Sequence, residues 1–328
     1  MLDDVAPRDF ERLNQDTAGL GSDVMHTHTD ASKRILPILF LLAAVATNSP
    51  PAAAQGVERG DRERTTSRFA REPAGVKILD RTYNNTVAIF AVLTNCTEAT
   101  ITLDIELTNA RASKKLPITV DAAGRARFEI LRLRPIDPNR QITYQFRYQW
   151  KPGGRLVAKK NAPPFRHEAI YALPHDPSAT FQVVQGRLGR LSHQLGSRDE
   201  EAIDWSMPIG TRVLAARGGK VVAVRQESNT HSDNGAQREG SNFIVIKHDD
   251  GTFAEYQHLR QYGAAVKLGQ VVATGELIGY SGDTGFATMP HLHFAVYHNI
   301  DGERRVTYPL MFRLKSGEVV ALQEGDWY

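Results

Sequence analysis

Residues 142–150 read ITYQFRYQW, in which large apolar side chains alternate with polar ones. Residues 101–107, ITLDIEL, show the same period of two. Successive side chains of a β-strand point to opposite faces of a sheet, so each stretch indicates a strand with one buried and one solvated face. Turn residues such as Ala123-Gly124 separate runs of this kind. We therefore predict an immunoglobulin-like β-sandwich at residues 76–164.

The C-terminal half of the chain also carries a β pattern and lacks long helical periodicity. Gly and Asp turns separate four strand candidates, at residues 212–225, 242–247, 252–259 and 291–297. The segment Asn161-Ala162-Pro163-Pro164 marks a hinge ahead of them. The sequence thus predicts an all-β chain, in which an antiparallel β-sheet domain at residues 166–328 follows the sandwich.

The composition is that of an ordinary folded chain, with 41% hydrophobic and 23% charged residues among 328. The formal net charge is +3, and residues 1–54 hold only 4 of the 40 Lys+Arg, so the remainder is mildly basic. That balance suits an anionic envelope polymer as substrate. No long Lys/Arg run is present, which argues against a nucleic-acid partner. Cys96 is the single cysteine, so we expect no disulfide within the chain and a small buried hydrophobe at this position.

Residues 33–54 have the three parts of a secretory signal. Lys33 and Arg34 form the positive end, residues 35–45 form the apolar run, and Ala52-Ala53-Ala54 offers a cleavage site. The apolar run is shorter than the ~20 residues that span a bilayer. We therefore expect an exported protein with no stable membrane span after processing, and an uncleaved anchor is the alternative.

The first 24 residues do not resemble a signal, because acidic residues such as Asp3 and Asp4 precede the positive end. Met25 is therefore interpreted as the true start, and residues 1–54 as the leader. Residues 55–75 are rich in Arg, Glu, Gly and Ser and are interpreted as a flexible linker.

The segment with the clearest chemical potential is MPHLHFAV, residues 289–296. On a strand, His291 and His293 project from one face, while Leu292 and Phe294 anchor the other face in the core. Such a pair is useful to a metal site, because one imidazole binds the ion while its neighbour acts on water or substrate. Taken alone, a His-x-His pair is weak evidence for a site.

Further candidate residues lie near strand ends in the same region. Asp204 stands between the core-like residues Ile203 and Trp205. His258 ends a strand-like segment, and His193 lies eleven residues before Asp204. Four histidines and one aspartate fit a catalytic zinc site, which uses three protein ligands and an open position for water.

An ordered series of motifs runs through residues 171–296. In chain order they are SH (192–193), ID (203–204), PIGT (208–211), VLAAR (213–217), HDDGT (248–252), YQHL (256–259), GQV (269–271), GELIG (275–279), SGDTG (281–285) and PHLHF (290–294). This series resembles the lysostaphin-type, or LytM-like, zinc peptidases of family M23. The resemblance covers a little under half of the chain.

The resemblance implies a LytM-type peptidase domain that binds one zinc ion. It implies zinc ligation by His193, Asp204 and His293, with His258 and His291 as catalytic histidines. One departure concerns the first ligand, which in the family often stands four residues before the aspartate, where this chain has Glu200. A longer insert places His193 further away, and Glu200 is the alternative ligand, because carboxylates also bind zinc.

The implied function is a zinc metalloendopeptidase that hydrolyses peptide bonds in peptidoglycan stems or crosslinks, in the periplasm or outside a bacterial cell. Two alternatives stay open. A non-catalytic wall-binding or amidase-activating module would share the fold but usually lacks ligands, whereas this chain keeps the candidate set. A secreted peptidase that acts on ordinary proteins would use the same site.

The remaining features receive structural interpretations. The sandwich shows no cluster of chemically competent residues and is interpreted as a scaffold or binding module. His248 is expected to be structural, in a turn. Surface or hinge positions are expected for His167, His175, His231 and His298. The polar loop at residues 226–241 is a candidate wall of the substrate groove.

Overall fold

The computed structural model describes residues 74–156, 167–233 and 240–328. Within these ranges the regular secondary structure consists of β-strands, which confirms the all-β prediction. Outside the described residues lie the predicted leader with Met25, all but the last two residues of the linker, and the hinge at residues 161–164. No helix in the described part of the chain has the length and apolar character needed to cross a membrane.

The first seven strands form two sheets around one core. They are β1 (Gly75–Tyr83), β2 (Thr86–Thr94), β3 (Glu98–Thr108), β4 (Ala110–Ala112), β5 (Ile118–Ala123), β6 (Arg127–Pro135) and β7 (Thr143–Pro152). One sheet has the order β1-β2-β6-β4 and the other β5-β3-β7, with antiparallel neighbours. Ile89 and Leu131 from the first sheet share a buried cluster with Ile101 and Leu103 from the second. The arrangement is the predicted immunoglobulin-like sandwich.

The alternating stretches that predicted the sandwich lie side by side in it. The register of β3 and β7 places Ile101 opposite Trp150 and Leu103 opposite Tyr148. These apolar side chains pack into the cluster between the sheets, whereas Gln149 is exposed. The period of two thus sorts side chains between core and solvent, as the pleat of a strand requires.

Sixteen further strands follow in the described part of the chain. They are β8 (Ile170–Ala172), β9 (Val183–Gln185), β10 (Ile203–Ser206), β11 (Arg212–Leu214), β12 (Gly219–Arg225), β13 (His231–Ser232), β14 (Phe243–Lys247), β15 (Phe253–Gln257), β16 (Leu259–Ala264), β17 (Val271–Val272), β18 (Leu277–Ser281), β19 (Gly285–Phe286), β20 (His291–Asn299), β21 (Arg305–Thr307), β22 (Met311–Arg313) and β23 (Val319–Val320). The predicted strand at residues 212–225 is two strands, β11 and β12, and the other three predicted strands correspond to β14, β15 and β20.

The central sheet has the strand order β17-β12-β14-β15-β20-β10-β9, and β21 pairs with the far end of β20. All its strand pairs are antiparallel, as predicted. Three small sheets accompany it: β11-β18-β16, β23-β22-β8 and β13-β19. The pairs β13–β19 and β8–β22 are parallel, and the long stretch of chain between the two strands of each pair provides the crossover that parallel pairing requires.

The two faces of the central sheet pack against different partners. On one face, Leu292 and Phe294 of β20 lie in a cluster with Trp205. On the opposite face, Phe253 and Tyr297 belong to the cluster that also fills the sandwich. His291 and His293 have the same parity as Tyr297 along β20, so they project from the face that carries the sandwich.

Hydrogen bonds tie the sandwich to this face of the sheet. Thr97 N donates to Val222 O at 2.8 Å, and the Tyr297 hydroxyl donates to Pro152 O at 3.1 Å. Cys96 forms a bridge to the neighbouring strand β12 and is 5% exposed, which confirms the prediction that it is buried. Burial raises the pKa of its thiol to about 12, so the thiol stays protonated. The predicted domain boundaries themselves stay predictions.

Candidate metal centre

Two candidate residues meet because their strands are neighbours. Strand β20 lies between β15 and β10, and Asp204 on β10 is the direct cross-strand partner of His293. Directly opposed residues of antiparallel strands point to the same face, so their side chains meet. Nδ1 of His293 lies 2.8 Å from Oδ1 of Asp204.

The third member of the cluster is His193, which lies between β9 and β10. Its Nε2 is 3.4 Å from Oδ2 of Asp204. One potential ligand atom from each of His193, Asp204 and His293 lies within 4.8 Å of the others. All three side chains are buried, with exposures of 0%, 6% and 6%. The structure therefore brings together the three residues that the resemblance names as ligands, and their ligand role stays a prediction.

The orientation of His193 fits a metal ligand. Its Nδ1 lies 3.1 Å from Gly186 O, and because a carbonyl only accepts, Nδ1 carries the proton. The lone pair of Nε2 is thereby turned toward Asp204, and within the described ranges this buried atom has no hydrogen-bond partner. Neighbouring ligand atoms of a tetrahedral zinc ion with bonds of about 2.1 Å lie roughly 3.4 Å apart, which matches the 3.4 Å between Nε2 of His193 and Oδ2 of Asp204.

The charges of the cluster support each other. Burial acts to raise the pKa of Asp204, but the neighbouring His293 and His193 outweigh it, and the pKa lies well below its usual value. Burial acts to lower the pKa of His193, but the carboxylate of Asp204 outweighs this effect, so the pKa of His193 is raised overall. An anionic carboxylate between two imidazoles is a donor set of the kind that zinc takes in proteins.

His258 and His291 form a pair beside this cluster, with ring centroids 4.3 Å apart. Nδ1 of His258 donates to Thr284 O at 2.7 Å, and Nδ1 of His291 donates to Met289 O at 2.8 Å. Each ring therefore leaves Nε2 available as an acceptor. Burial, together with the nearby His291 and His293, lowers the pKa of His258 to about 3, so this imidazole is neutral at pH 7.

Gln185, which the sequence did not single out, supports the cluster from the neighbouring strand β9. Its Nε2 donates to Oδ2 of Asp204 at 3.0 Å. Its Oε1 accepts the backbone N–H groups of Leu191 and Ser192, at 2.9 and 3.0 Å. One side chain thus orients a candidate ligand and holds the segment that carries His193. A glutamine has no distinguishing sequence pattern, and only the strand register reveals it.

The remaining expectations have mixed outcomes. Glu200 accepts the backbone N–H of Gly196 at 2.7 Å and is not part of the cluster, so its role as alternative ligand gains no support. His175 is fully buried and meets Phe181 edge to face, so its placement at the surface was wrong. His248 is buried and bonded to Gly218 O, as expected for a structural residue.

The described part of the polar loop at residues 226–241 lies next to the histidine pair. His231 and Ser232 pair with Gly285 and Phe286. These two residues directly follow Thr284, whose carbonyl oxygen accepts the hydrogen bond from Nδ1 of His258. Its role as a groove wall stays a prediction.

These features define an all-β protein with a buried His-Asp-His site beside a histidine pair. Residues 198–305 match the model described as "Peptidase family M23", which confirms the resemblance for this part of the chain. Lysostaphin of Staphylococcus simulans is 34% identical over 116 residues, which are 35% of this chain and 21% of that protein. The peptidoglycan DD-endopeptidase ShyA of Vibrio cholerae is 41% identical over 91 residues, 28% of this chain and 18% of that protein.

Among solved structures, the catalytic domain of the antimicrobial peptidase lysostaphin from Staphylococcus simulans is 28% identical. The match covers 40% of this chain and 94% of that chain, with a TM-score of 0.28. The chain spans about a fifth of the length of the curated relatives that it matches.

Proposed function

We propose that this chain is a zinc-dependent endopeptidase that hydrolyses peptide bonds in the stems or crosslinks of peptidoglycan. The observation that carries the proposal is the convergence of His193, Asp204 and His293 within 4.8 Å, beside the pair of His258 and His291. The family match and the names of the similar proteins, lysostaphin and a peptidoglycan DD-endopeptidase, support the choice of substrate.

His193, Asp204 and His293 would hold the zinc ion through Nε2, a carboxylate oxygen and Nδ1. When bound, zinc lowers the pKa of a water molecule to about 7 and polarises a carbonyl group. The protein's contribution is to present these donors in fixed orientations. Gly186 O fixes the tautomer of His193, and Gln185 fixes the carboxylate of Asp204.

The histidine pair is suited to move one proton. The ring of His258 lies 4.3 Å from that of His291, and its pKa of about 3 leaves it neutral at pH 7 and able to accept a proton. A neutral member accepts the proton of the attacking water at Nε2, and the same nitrogen then donates it to the leaving amine. The backbone carbonyls of Thr284 and Met289 hold both rings in the tautomer this task requires. Either histidine satisfies this description.

The chain keeps the full set of candidate ligands and catalytic histidines, which favours an enzyme over a non-catalytic wall-binding or amidase-activating module. The mildly basic chain suits the anionic wall polymer. The signal-like segment at residues 33–54 supports a location in the periplasm or outside the cell.

The test compares two variants of the full chain. We expect His291→Ala to abolish hydrolysis but keep one zinc ion, whereas Asp204→Ala loses both, because Asp204 contacts both histidines of the cluster. Zinc is measured by elemental analysis, and hydrolysis by digestion of purified wall sacculi followed by mass analysis of the fragments. Equal zinc in Asp204→Ala and the wild type would refute the metal site, and cleavage of casein but not sacculi would refute the substrate.

A further inference from the structure

A buried network of ion pairs lies behind the metal centre. The guanidinium of Arg305 on β21 binds the carboxylates of Asp199 and Glu255. All three side chains are less than 10% exposed. Arg305 also donates from Nε to Arg198 O at 3.2 Å, and its guanidinium carbon lies 4.5 Å from the ring centroid of Tyr297. A charged network with this much burial is costly unless every partner is held in place.

The network joins the strands of the site to the segment between two candidate ligands. Asp199 belongs to the stretch that runs from His193 to Asp204. Glu255 lies on β15 and Arg305 on β21, and both strands pair with β20. Through its ion pair with Asp199, Arg305 therefore links the stretch at residues 193–204 to β20, the strand that carries His293.

Nε2 of His293 faces this network of ion pairs. Its Nδ1 is directed at Asp204, whereas its Nε2 is buried and has no hydrogen-bond partner among the described residues. Oδ1 of Asp199 lies 4.0 Å from this Nε2. Among the described residues, Asp199 is thus the carboxylate beside Nε2 of His293, on the side of the ring that faces away from His193 and Asp204.

A histidine that binds a metal through one nitrogen usually donates its other N–H to a carboxylate, a carbonyl or water. Such a partner fixes the ring and its tautomer and makes the ligating nitrogen a better donor. His193 has a carbonyl in this position, namely Gly186 O. Asp199 is placed to do the same for His293.

We propose that Asp199 is a positioning residue for His293: its carboxylate receives the Nε2–H, so that the lone pair of Nδ1 faces the metal site. The ion pair with Arg305 holds the carboxylate of Asp199 in place. The proposal rests on the zinc site of the proposed function and adds to it a residue outside the three ligands and the histidine pair.

The test uses two variants of the full chain that remove the same charge from the two sides of Arg305. Asp199→Asn removes the carboxylate next to His293, and Glu255→Gln removes the other partner of Arg305. Zinc affinity is measured by competition with a chelator of known affinity. We expect Asp199→Asn to bind zinc about 10–100-fold more weakly, the range seen when such partners are lost. Glu255→Gln is expected to bind zinc like the wild type.

A second measurement needs no variant and so does not depend on the folding of Asp199→Asn. In the zinc-loaded wild type labelled with 15N-histidine, NMR is expected to show a slowly exchanging proton on Nε2 of His293. Absence of that proton would overturn the proposal.

The other outcomes are also distinct. Unchanged affinity in Asp199→Asn, or equal weakening in both variants, would overturn the proposal, because the network would then act only as a frame. A wild-type chain that binds no zinc would instead refute the proposed function itself.

Discussion

Substitution of Gly153 tests whether the sandwich and the central sheet form one packed core. Gly153 follows β7 with a φ of +87°, and a Cβ at this position would lie 2.9 Å from Cγ of Phe253. The ring of Phe253 is 2% exposed and is confined by Tyr297, 6.0 Å away between ring centroids. The ring has little freedom to move aside, so an added methyl group overpacks the joint.

The matched control is Gly124, also in the sandwich, with a φ of +70° and no heavy atom of the described residues within 4 Å of the added Cβ. Gly124→Ala lowers the free energy of unfolding only through the strain of the left-handed backbone, by about 1–2 kcal/mol. Gly153→Ala adds overpacking of about 1–3 kcal/mol, for a total of roughly 2–5 kcal/mol. The difference between the two variants therefore isolates the contact with Phe253.

The measurement is equilibrium unfolding in urea, with a chelator present so that zinc does not contribute to stability. We expect Gly153→Ala to lose more free energy of unfolding than Gly124→Ala, by about 1–3 kcal/mol. Equal losses would mean that the ring of Phe253 is not held against the sandwich, and the shared core would be refuted.

Two further predictions concern a buried histidine and a glycine near the site. Burial, aided by the charge of Arg217 and opposed by the hydrogen bond to Gly218 O, lowers the pKa of His248 to about 4, so the unfolded chain binds more protons between pH 6.5 and 4. Stability is expected to fall by up to about 3 kcal/mol as pH drops through this window, and His248→Asn should flatten the decline in urea unfolding at a series of pH values. An added Cβ on Gly285, where φ is +82°, would lie 2.6 Å from Ser241 N. Gly285→Ala should therefore shift the segment that holds His258 and slow hydrolysis roughly 10–100-fold with zinc retained. The control is Gly275→Ala, where φ is +81° and the added Cβ meets open space, and it should stay near wild-type activity. Equal rates of hydrolysis in the two variants would contradict this prediction.

Local patterns predicted much of the fold correctly. The alternation at residues 101–107 and 142–150 identified β3 and β7, because the parity of side chains along a strand is a local property. The same argument placed His291 and His293 on one face of β20. The ordered motifs predicted the match of residues 198–305 to the M23 model, because these residues stand in a fixed order along the chain.

Other features left no trace in any local pattern. We expected His175 at a surface or hinge position, yet it is buried against Phe181. Gln185, Asp199 and Arg305 received no role, because each is an ordinary residue type in an ordinary context. Their partners are fixed by which strands lie side by side, and that depends on the whole sheet.

The sequence alone determined that the chain is all-β, which side chains of its longer strands are buried, and which five residues are candidates for chemistry. The tertiary structure alone decided that Asp204 lies against His293, 89 residues away, and that Phe253 and Tyr297 complete the core of the sandwich. Alternation along a strand depends on the geometry of neighbouring residues, whereas pairing across strands depends on the register and burial of segments that meet only in the folded chain.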